Sequence, residues 1–319
     1  MAESTALVLA APAATLDPSS ASARLVDAFF SGRNAKTVDA YRRDLESFRD
    51  FVGARSPGEA ARVLLAQGHG PANEAALRYR ADLLARGLSP ATVNRRLAAV
   101  RSLVKLARTL GLVPWTLEVP SVESRAYRDT RGPGLEGVRR LLAVLDARVD
   151  AKGKRDRAVL HLLFDMALRR EEAVHLDLED VDLEGGTLSV LGKKRTEKET
   201  LTMPEPTKAA LASWLQVRGD EPGPLFLNFD RAGKGGRLTG RSVHRLVGEL
   251  GLDAGLGVVR PHGLRHAAIT EALEATGGDV RRVQKFSRHR DVRVLAVYDD
   301  SRRDMGGEVA RLVAGRATA

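Results

Sequence analysis

The residues with the clearest chemical potential lie in one basic segment near the end of the 319-residue chain. His262 and Arg265 are three positions apart, which puts a proton carrier and a fixed cation on the same face of a helix. His289 follows, and Tyr298 stands nine positions after it. A tyrosine hydroxyl is a poor nucleophile at its reference pKa of about 10, but cations and a base packed around it can activate it. This segment is therefore a candidate site for nucleophilic chemistry.

A further cation stands upstream, where an apolar helix over residues 160–168 ends on a charged turn. Arg169 begins this turn, and Glu172 follows three positions later. Because a guanidinium is planar and permanently charged, it can bind a phosphate or a carboxylate through two parallel hydrogen bonds. We interpret Arg169 as a candidate ligand for a phosphate and Glu172 as its structural partner rather than as a catalytic acid.

A lysine is the remaining candidate, and it lies on a predicted β-hairpin. Residues 187–191 and 200–203 have strand character and flank a short charged tip. Lys193 directly follows the first strand and Gly192, and Lys194 competes with it for the same role. We prefer Lys193 because of its position next to the strand. A lysine on such a tip is more commonly just solvated.

Taken in chain order, six residues form the candidate catalytic set: Arg169, Lys193, His262, Arg265, His289 and Tyr298. With this set the chain resembles the tyrosine recombinases of the phage-integrase and Xer type. The similarity lies in a Leu-Arg-x-x-Glu turn, a hairpin lysine, a His-x-x-Arg box, a second histidine and a tyrosine nine residues later. It covers about residues 131–319, and more loosely the region before them.

The resemblance implies a mainly α fold with a small antiparallel β-sheet, in which a helical N-terminal core-binding domain precedes an α+β tyrosine-recombinase catalytic domain. It implies that Tyr298 attacks a phosphodiester of duplex DNA at a specific site and forms a 3′-phosphotyrosyl bond. A 5′ hydroxyl of the partner duplex then reverses the step. Two such exchanges pass through a Holliday junction held by a homo-tetramer, which can be a monomer in solution. No metal and no nucleotide cofactor is expected.

The same resemblance assigns roles to the other five residues. Arg169 and Arg265 would bind the non-bridging oxygens of the phosphate. His262 would accept the tyrosine proton or orient the phosphate, and His289 would donate a hydrogen bond to a phosphate oxygen. Lys193 would protonate the departing 5′ oxygen.

Two glycines of the usual family pattern are replaced here. Ala167 stands where a glycine usually precedes the Leu-Arg pair, which slightly stiffens that turn. Arg288 stands where a glycine usually precedes the second histidine, so the pattern does not predict the backbone conformation beside His289.

The elements that must position this set divide the chain into four parts. Residues 1–21 are expected to form a flexible tail, residues 22–112 a helical DNA-binding domain, residues 113–134 a linker with three prolines, and residues 135–319 the catalytic domain. In the helical domain, Ser89 and Pro90 predict the start of a long helix. A short amphipathic helix over residues 308–313 has no evident surface of its own to cover, and by resemblance it docks on a neighbouring protomer.

The helical domain is strongly basic, with 15 Lys and Arg residues against 7 Asp and Glu residues between positions 31 and 110. Such helix faces are usually just solvated, but next to the catalytic set they favour contacts with DNA phosphates. The candidate DNA-binding residues are Arg42, Arg43, Arg95, Arg96, Arg101 and Lys105.

The composition agrees with a polyanionic partner, because the net charge is +10 and the pI is about 10.2. Cysteine is absent, which excludes disulfides and thiol nucleophiles and fits a reducing cytoplasm. No apolar run approaches the roughly 18 residues of a membrane span. We expect a cytoplasmic, nucleoid-associated protein without a membrane partner.

Three alternative functions are compatible with parts of the sequence. His262 and His266 have zinc-chelating spacing, but no glutamate lies between them and Arg265 would repel a cation. The chain could instead be a type IB topoisomerase, which uses similar chemistry on one strand as a monomer. Strand exchange between two duplexes would distinguish a recombinase from it. A DNA-binding regulator that has lost its chemistry would not be expected to keep all six residues.

Overall fold

The computed structural model describes residues 18–33, 35–123, 132–192, 195–230, 233–298 and 305–317. The chain divides into two compact units, residues 1–127 and 128–319. Among the described residues, every helix is too short or too polar to cross a membrane.

The first unit is built from helices. Their bounds are α1 Pro18–Phe30, α2 Ala35–Val52, α3 Pro57–Ala66, α4 His69–Ala85 and α5 Pro90–Thr109. Helix α5 begins where the sequence predicts, because the Ser89 side chain accepts a hydrogen bond from the Thr92 backbone N–H and Pro90 occupies the first turn. Helix α3 was not predicted, although Ser56 caps it in the same way. Helix α1 begins inside the segment expected to be a flexible tail.

One apolar core joins these helices, and it includes part of the segment predicted as a linker. Val113, Leu117 and Val119 are buried against the helical core. Asn94 of α5 also exchanges two hydrogen bonds with the backbone of Val122, at 2.9 and 2.7 Å. Residues 113–123 thus pack as part of the first unit.

The second unit contains eight α-helices among its described residues. They are α6 Gly134–Asp146, α7 Ala151–Phe164, α8 Arg170–Val174, α9 Glu205–Arg218, α10 Gly240–Asp253, α11 Pro261–Ala275, α12 Val280–Ser287 and α13 Met305–Ala317. A 3₁₀ helix, Val292–Tyr298, lies between α12 and α13. Most of α11 is buried, from Gly263 to Ile269, so this helix runs through the interior of the unit.

A three-stranded antiparallel sheet completes the second unit, with strands β1 Val181–Asp182, β2 Thr187–Leu191 and β3 Lys198–Thr202 in that order. Strands β2 and β3 form the predicted hairpin, with Ser189 opposite Thr200. Leu188 and Val190 are buried in the main core, whereas their neighbours along β2 are more exposed. The prediction of a mainly helical fold with a small antiparallel sheet is confirmed.

Candidate active site

Arg169 is held by the turn between α7 and α8. Ala167 adopts a positive φ of 46°, and the Leu168 N–H donates to the Leu162 carbonyl at 3.0 Å, which ends α7 and redirects the chain. Arg169 then caps α8. Its backbone N–H donates to Glu172 Oε2 at 2.9 Å, and its Nη1 donates to Glu172 Oε1 at 2.6 Å. Glu172 therefore has the predicted contact with Arg169.

The His-x-x-Arg box forms the first turn of α11, after Pro261 at its start. His262 is exposed, whereas Arg265 is buried, with 2% of its surface accessible. The guanidinium of Arg265 donates to two backbone carbonyls, those of Ala167 and Ser287. Arg265 thus connects the turn that carries Arg169 to the turn that carries His289.

His289 follows the left-handed residue that ends α12. Arg288 has φ 56° and ψ 38°, which turns the chain after Ser287. His289 Nδ1 lies 2.9 Å from the Ser287 hydroxyl, and the Gln284 side-chain amide donates to the His289 carbonyl at 3.0 Å. The ring and the backbone of His289 are both oriented by α12.

The charges around His289 show which side chains share this region. Burial, as the largest cause, and the neighbouring basic side chains together lower the pKa of His289 to about 4. They are, in order of effect, Arg265, Arg169, His262 and Arg288. His289 is consequently neutral at pH 7 in a strongly positive surrounding that would attract an anion.

The pKa of Glu172 is also shifted, in the direction that keeps the carboxylate charged. Burial by itself would raise this pKa, but the Arg169 backbone N–H and the guanidiniums of Arg288 and Arg169 together lower it. Glu172 thus remains an anionic anchor for two arginines, as expected for a structural partner rather than an acid.

Tyr298 is the last residue of the 3₁₀ helix, so its backbone follows from the packing of that helix. Leu295 is buried in a small apolar cluster together with Ala167, Ile269 and Val283. At the other end, the Asp291 side chain accepts a hydrogen bond from the Arg293 N–H at 3.0 Å. The helix that ends at Tyr298 is thus anchored against the Arg169 turn and α12.

Of the six predicted residues, the structure brings together Arg169, His262, Arg265 and His289, and it anchors the helix that ends at Tyr298. Lys193 and Lys194 lie outside the described residues, between Gly192 and Arg195. Sequence reasoning missed Arg288 as a member of the site. Its guanidinium forms an ion pair with Glu172 at 3.0 Å. The sequence marked position 288 only as a departure from the glycine that the family pattern usually has there.

The candidate DNA-binding residues differ in their contacts within the first unit. Arg42, Arg43, Arg95 and Lys105 are exposed, and Arg43 donates to the Asp39 carbonyl at 3.1 Å. Arg95 pairs with the buried Asp44 at 2.5 Å, Arg96 donates to Ser47 at 2.7 Å, and Arg101 donates to the Val119 carbonyl at 3.1 Å.

The metal alternative receives no support from the part of the chain that the structure describes. No group of three or more His, Cys, Asp or Glu side chains there could hold a metal ion. His266 is buried and lies 3.4 Å from the Thr270 hydroxyl, whereas His262 is exposed.

Comparison with family models identifies both units. Residues 135–304 match the phage integrase family, and residues 25–110 match the phage integrase N-terminal SAM-like domain. A tyrosine recombinase of Synechocystis sp. is 38% identical over 287 residues, which is 88% of this chain and 91% of the relative. Another, from Synechococcus elongatus, is 40% identical over 282 residues, or 86% and 88% of the two chains. Tyrosine recombinase XerD of Caulobacter vibrioides is 32% identical, with 82% and 85% covered.

Solved structures show the same fold at lower identity. The Tn1549 transposon integrase in complex with transposon right end DNA aligns with a TM-score of 0.68 at 16% identity, covering 95% of this chain and 99% of the other. The XerH site-specific recombinase bound to palindromic difH substrate aligns with a TM-score of 0.67 at 20% identity, covering 91% and 84%.

Proposed function

The chain belongs to the phage integrase family and is a tyrosine recombinase, and we propose that Tyr298 is the nucleophile with which it cleaves and rejoins DNA at a specific site. One observation supports this most. Arg169, Arg265 and His289 are far apart in sequence, yet their turns are joined by the hydrogen bonds of Arg265 and they share one positive region. The 3₁₀ helix that ends at Tyr298 packs against the same turns.

In the proposed first step, the Tyr298 oxygen attacks the phosphorus and forms a 3′-phosphotyrosyl bond while the bond to the 5′ oxygen breaks. Arg169 and Arg265 hold the two non-bridging oxygens, where negative charge grows in the transition state. His262 accepts the tyrosine proton or orients the phosphate. His289, kept neutral by its surroundings, donates a hydrogen bond to a phosphate oxygen.

The second step is the reverse of the first, with a new nucleophile. In the first step, Lys193 supplies the proton that the departing 5′ oxygen takes up. In the second step, a 5′ hydroxyl from the partner duplex attacks the phosphotyrosyl phosphorus and gives its proton to Lys193. Tyr298 is released, takes up a proton again, and a phosphodiester is restored. The covalent intermediate retains the bond energy, so the proposed reaction uses no nucleotide. We also propose that it uses no metal cofactor, because the guanidiniums of Arg169 and Arg265 stabilise the charge on the phosphate.

DNA is the proposed partner, and several protomers act together on it. The DNA complexes of the structurally similar recombinases support this for the same fold. We propose that residues 22–112 bind the duplex, through residues such as Arg42, Arg43 and Lys105. We also propose that four protomers form the synaptic complex and that the enzyme acts in the cytoplasm on the nucleoid.

The decisive test is Tyr298→Phe, which keeps the aromatic ring and removes the oxygen. We expect this variant to bind the recombination site with near-normal affinity and to form no covalent adduct on a suicide substrate with a nicked site. Tyr41→Phe, on α2 of the first unit, is the matched control and should form the adduct at the wild-type rate. Trapping by Tyr298→Phe would mean that the nucleophile is elsewhere.

A further inference from the structure

Arg288 occupies a backbone conformation that arginine does not favour. Its φ of 56° and ψ of 38° lie in the left-handed region, where a side chain crowds its own backbone. Non-glycine residues persist there when the surrounding structure holds them in place. The contacts of the Arg288 side chain show what holds it.

The guanidinium of Arg288 turns back into the protein instead of extending into solvent, and 5% of the side chain remains exposed. Nη1 donates to the carbonyls of Met166 at 3.1 Å and Phe286 at 3.2 Å. Nη2 donates to the Ala167 carbonyl at 3.2 Å and to Glu172 Oε2 at 3.0 Å. A buried charge needs such partners. Three of them lie around Arg169: the carbonyls of Met166 and Ala167 in the preceding turn, and the carboxylate of Glu172.

Two arginines therefore share one carboxylate. Glu172 Oε1 accepts from the Arg169 side chain at 2.6 Å, while Oε2 accepts from Arg288. Arg169 Nη2 also lies 3.5 Å from the Arg288 carbonyl. The backbone carbonyl of Arg288 thus lies next to the Arg169 guanidinium, and its side chain bonds the carboxylate that orients Arg169.

Ala167 is linked to Arg288 in the same way. It also has a positive φ, and its carbonyl accepts from Arg288 as well as from Arg265. The two strained residues are consequently joined by a hydrogen bond. Arg288 stabilises the conformation of the turn from which Arg169 projects.

We propose that Arg288 is a positioning residue for DNA cleavage: its guanidinium locks Glu172 and the turn at Met166 and Ala167, and thereby fixes the orientation in which Arg169 holds the phosphate. The proposal rests on the proposed function, because it assigns Arg288 to the same reaction. Arg288 acts through Arg169 and does not itself touch the phosphate.

Two substitutions of Arg288 test this. Arg288→Gly removes the side chain at a position whose backbone glycine adopts without strain. Arg288→Lys keeps the charge but loses the planar fork that bridges four oxygen acceptors. The rate of covalent adduct formation on a nicked suicide substrate is measured at saturating protein, together with DNA affinity and the thermal midpoint. Arg282→Gln is the matched control, because it removes an exposed charge from the same helix.

We expect Arg288→Gly to form the adduct roughly 10- to 100-fold more slowly, the scale of a small misplacement at a reacting centre. Its DNA affinity should stay within about twofold of wild type, because the chemical step and not binding is affected. Arg288→Lys should be intermediate, and Arg282→Gln should cleave at the wild-type rate. If Arg288→Gly does not fold, Arg288→Lys carries the test alone.

A double-mutant cycle separates positioning from a general structural role. In an Arg169→Lys background, Arg288→Gly should cause little further loss of rate, because the guanidinium that Arg288 positions is already gone. An undiminished loss in that background, or wild-type cleavage by Arg288→Gly or by Arg288→Lys, would overturn the proposal. Failure of the wild-type protein itself to form an adduct would instead contradict the proposed function.

Discussion

At the residue scale, the strongest electrostatic feature is a neutral histidine among cations. His289 is about half-buried beside Arg265 and Arg169, and its pKa falls to about 4. A phosphate bound between these arginines would cancel part of their charge and raise this pKa. The imidazole is therefore set to respond to the anion that we propose it contacts.

The sign of the resulting pH dependence follows from the lowered pKa. Between about pH 6.5 and pH 4 an unfolded chain protonates His289 while the folded chain does not, so stability is lost as the pH falls through this range. We therefore expect wild type to lose more free energy of unfolding than His289→Gln when the pH falls from 7 to 4, because only wild type carries the histidine. Thermal unfolding across that range measures it. An NMR titration of the imidazole with a midpoint near 6.5 would contradict the argument.

Single residues also show how far sequence reasoning reaches. Arg169, Arg265 and His289 could be predicted because each stands in a short motif with fixed spacing. The role of Arg288 could not, because it depends on contacts with Met166, Ala167 and Glu172 that only folding creates. A non-glycine residue at a glycine position can be read as a departure, but the hydrogen bonds that stabilise it are not encoded locally.

At the scale of elements, the hairpin is the part that the pattern predicted well. Strand β2 alternates between buried and more exposed residues, and both strands were recognised. In the structure, Lys198 at the start of β3 pairs with Asp180, and Arg195 pairs with Glu199 at 2.9 Å. These contacts anchor the described residues on the β3 side of the hairpin tip, to which the sequence assigns Lys193 and Lys194.

Replacement of Lys193 and replacement of Lys194 should have different effects on cleavage. If Lys193 protonates the 5′ oxygen, Lys193→Ala should slow cleavage by about 100- to 10,000-fold, the usual range for general acid catalysis. Lys194→Ala is the matched control and should cleave within a few-fold of wild type. A substrate with sulfur in place of the bridging 5′ oxygen should rescue Lys193→Ala, because a thiolate leaves without a proton. Rescue of Lys194→Ala alone would reverse the assignment.

The basic helices of the first unit were also recognised from sequence, but the partners of their arginines were not. Arg95 forms an ion pair with the buried Asp44. Burial raises the pKa of Asp44, and Arg95 and Arg96 offset only part of this shift. An exposed residue such as Arg42 can instead meet phosphate without breaking a contact to a carboxylate. Helical periodicity shows which face is polar, yet it does not show which polar side chains are bonded to one another.

This difference predicts two kinds of variant. Arg43→Gln should weaken binding to any duplex and reduce the steepness of its salt dependence by about one ion, because one phosphate contact is lost. Arg95→Gln should instead destabilise the fold by about 1–3 kcal/mol, because it removes the ion pair and hydrogen bond that the buried Asp44 makes with Arg95. Binding isotherms at several salt concentrations and denaturant unfolding distinguish them. A salt response that stays flat in the wild-type protein would exclude the electrostatic mode.

At the scale of the whole molecule, the reaction that we propose needs more than one protomer, because strands are exchanged between two duplexes. The prediction of an unpartnered C-terminal helix over residues 308–313 bears on this need. That stretch lies within α13, and Val313 on this helix is 63% exposed. Packing within the same chain is the alternative to docking on a neighbour.

Removal of α13 separates the two possibilities. Truncation after Gly306 should abolish tetramer formation on DNA and strand exchange, while it spares binding to a single site, because the DNA-binding helices and the Arg169 turn are retained. Val313→Asp should weaken assembly in the same direction by placing a charge on the exposed apolar position, and Arg316→Gln is the control on the same helix. Native gel mobility of the protein–DNA complexes and recombination between two duplexes measure the outcome. Unchanged recombination by the truncated protein would show that assembly depends on other surfaces and that α13 serves its own chain.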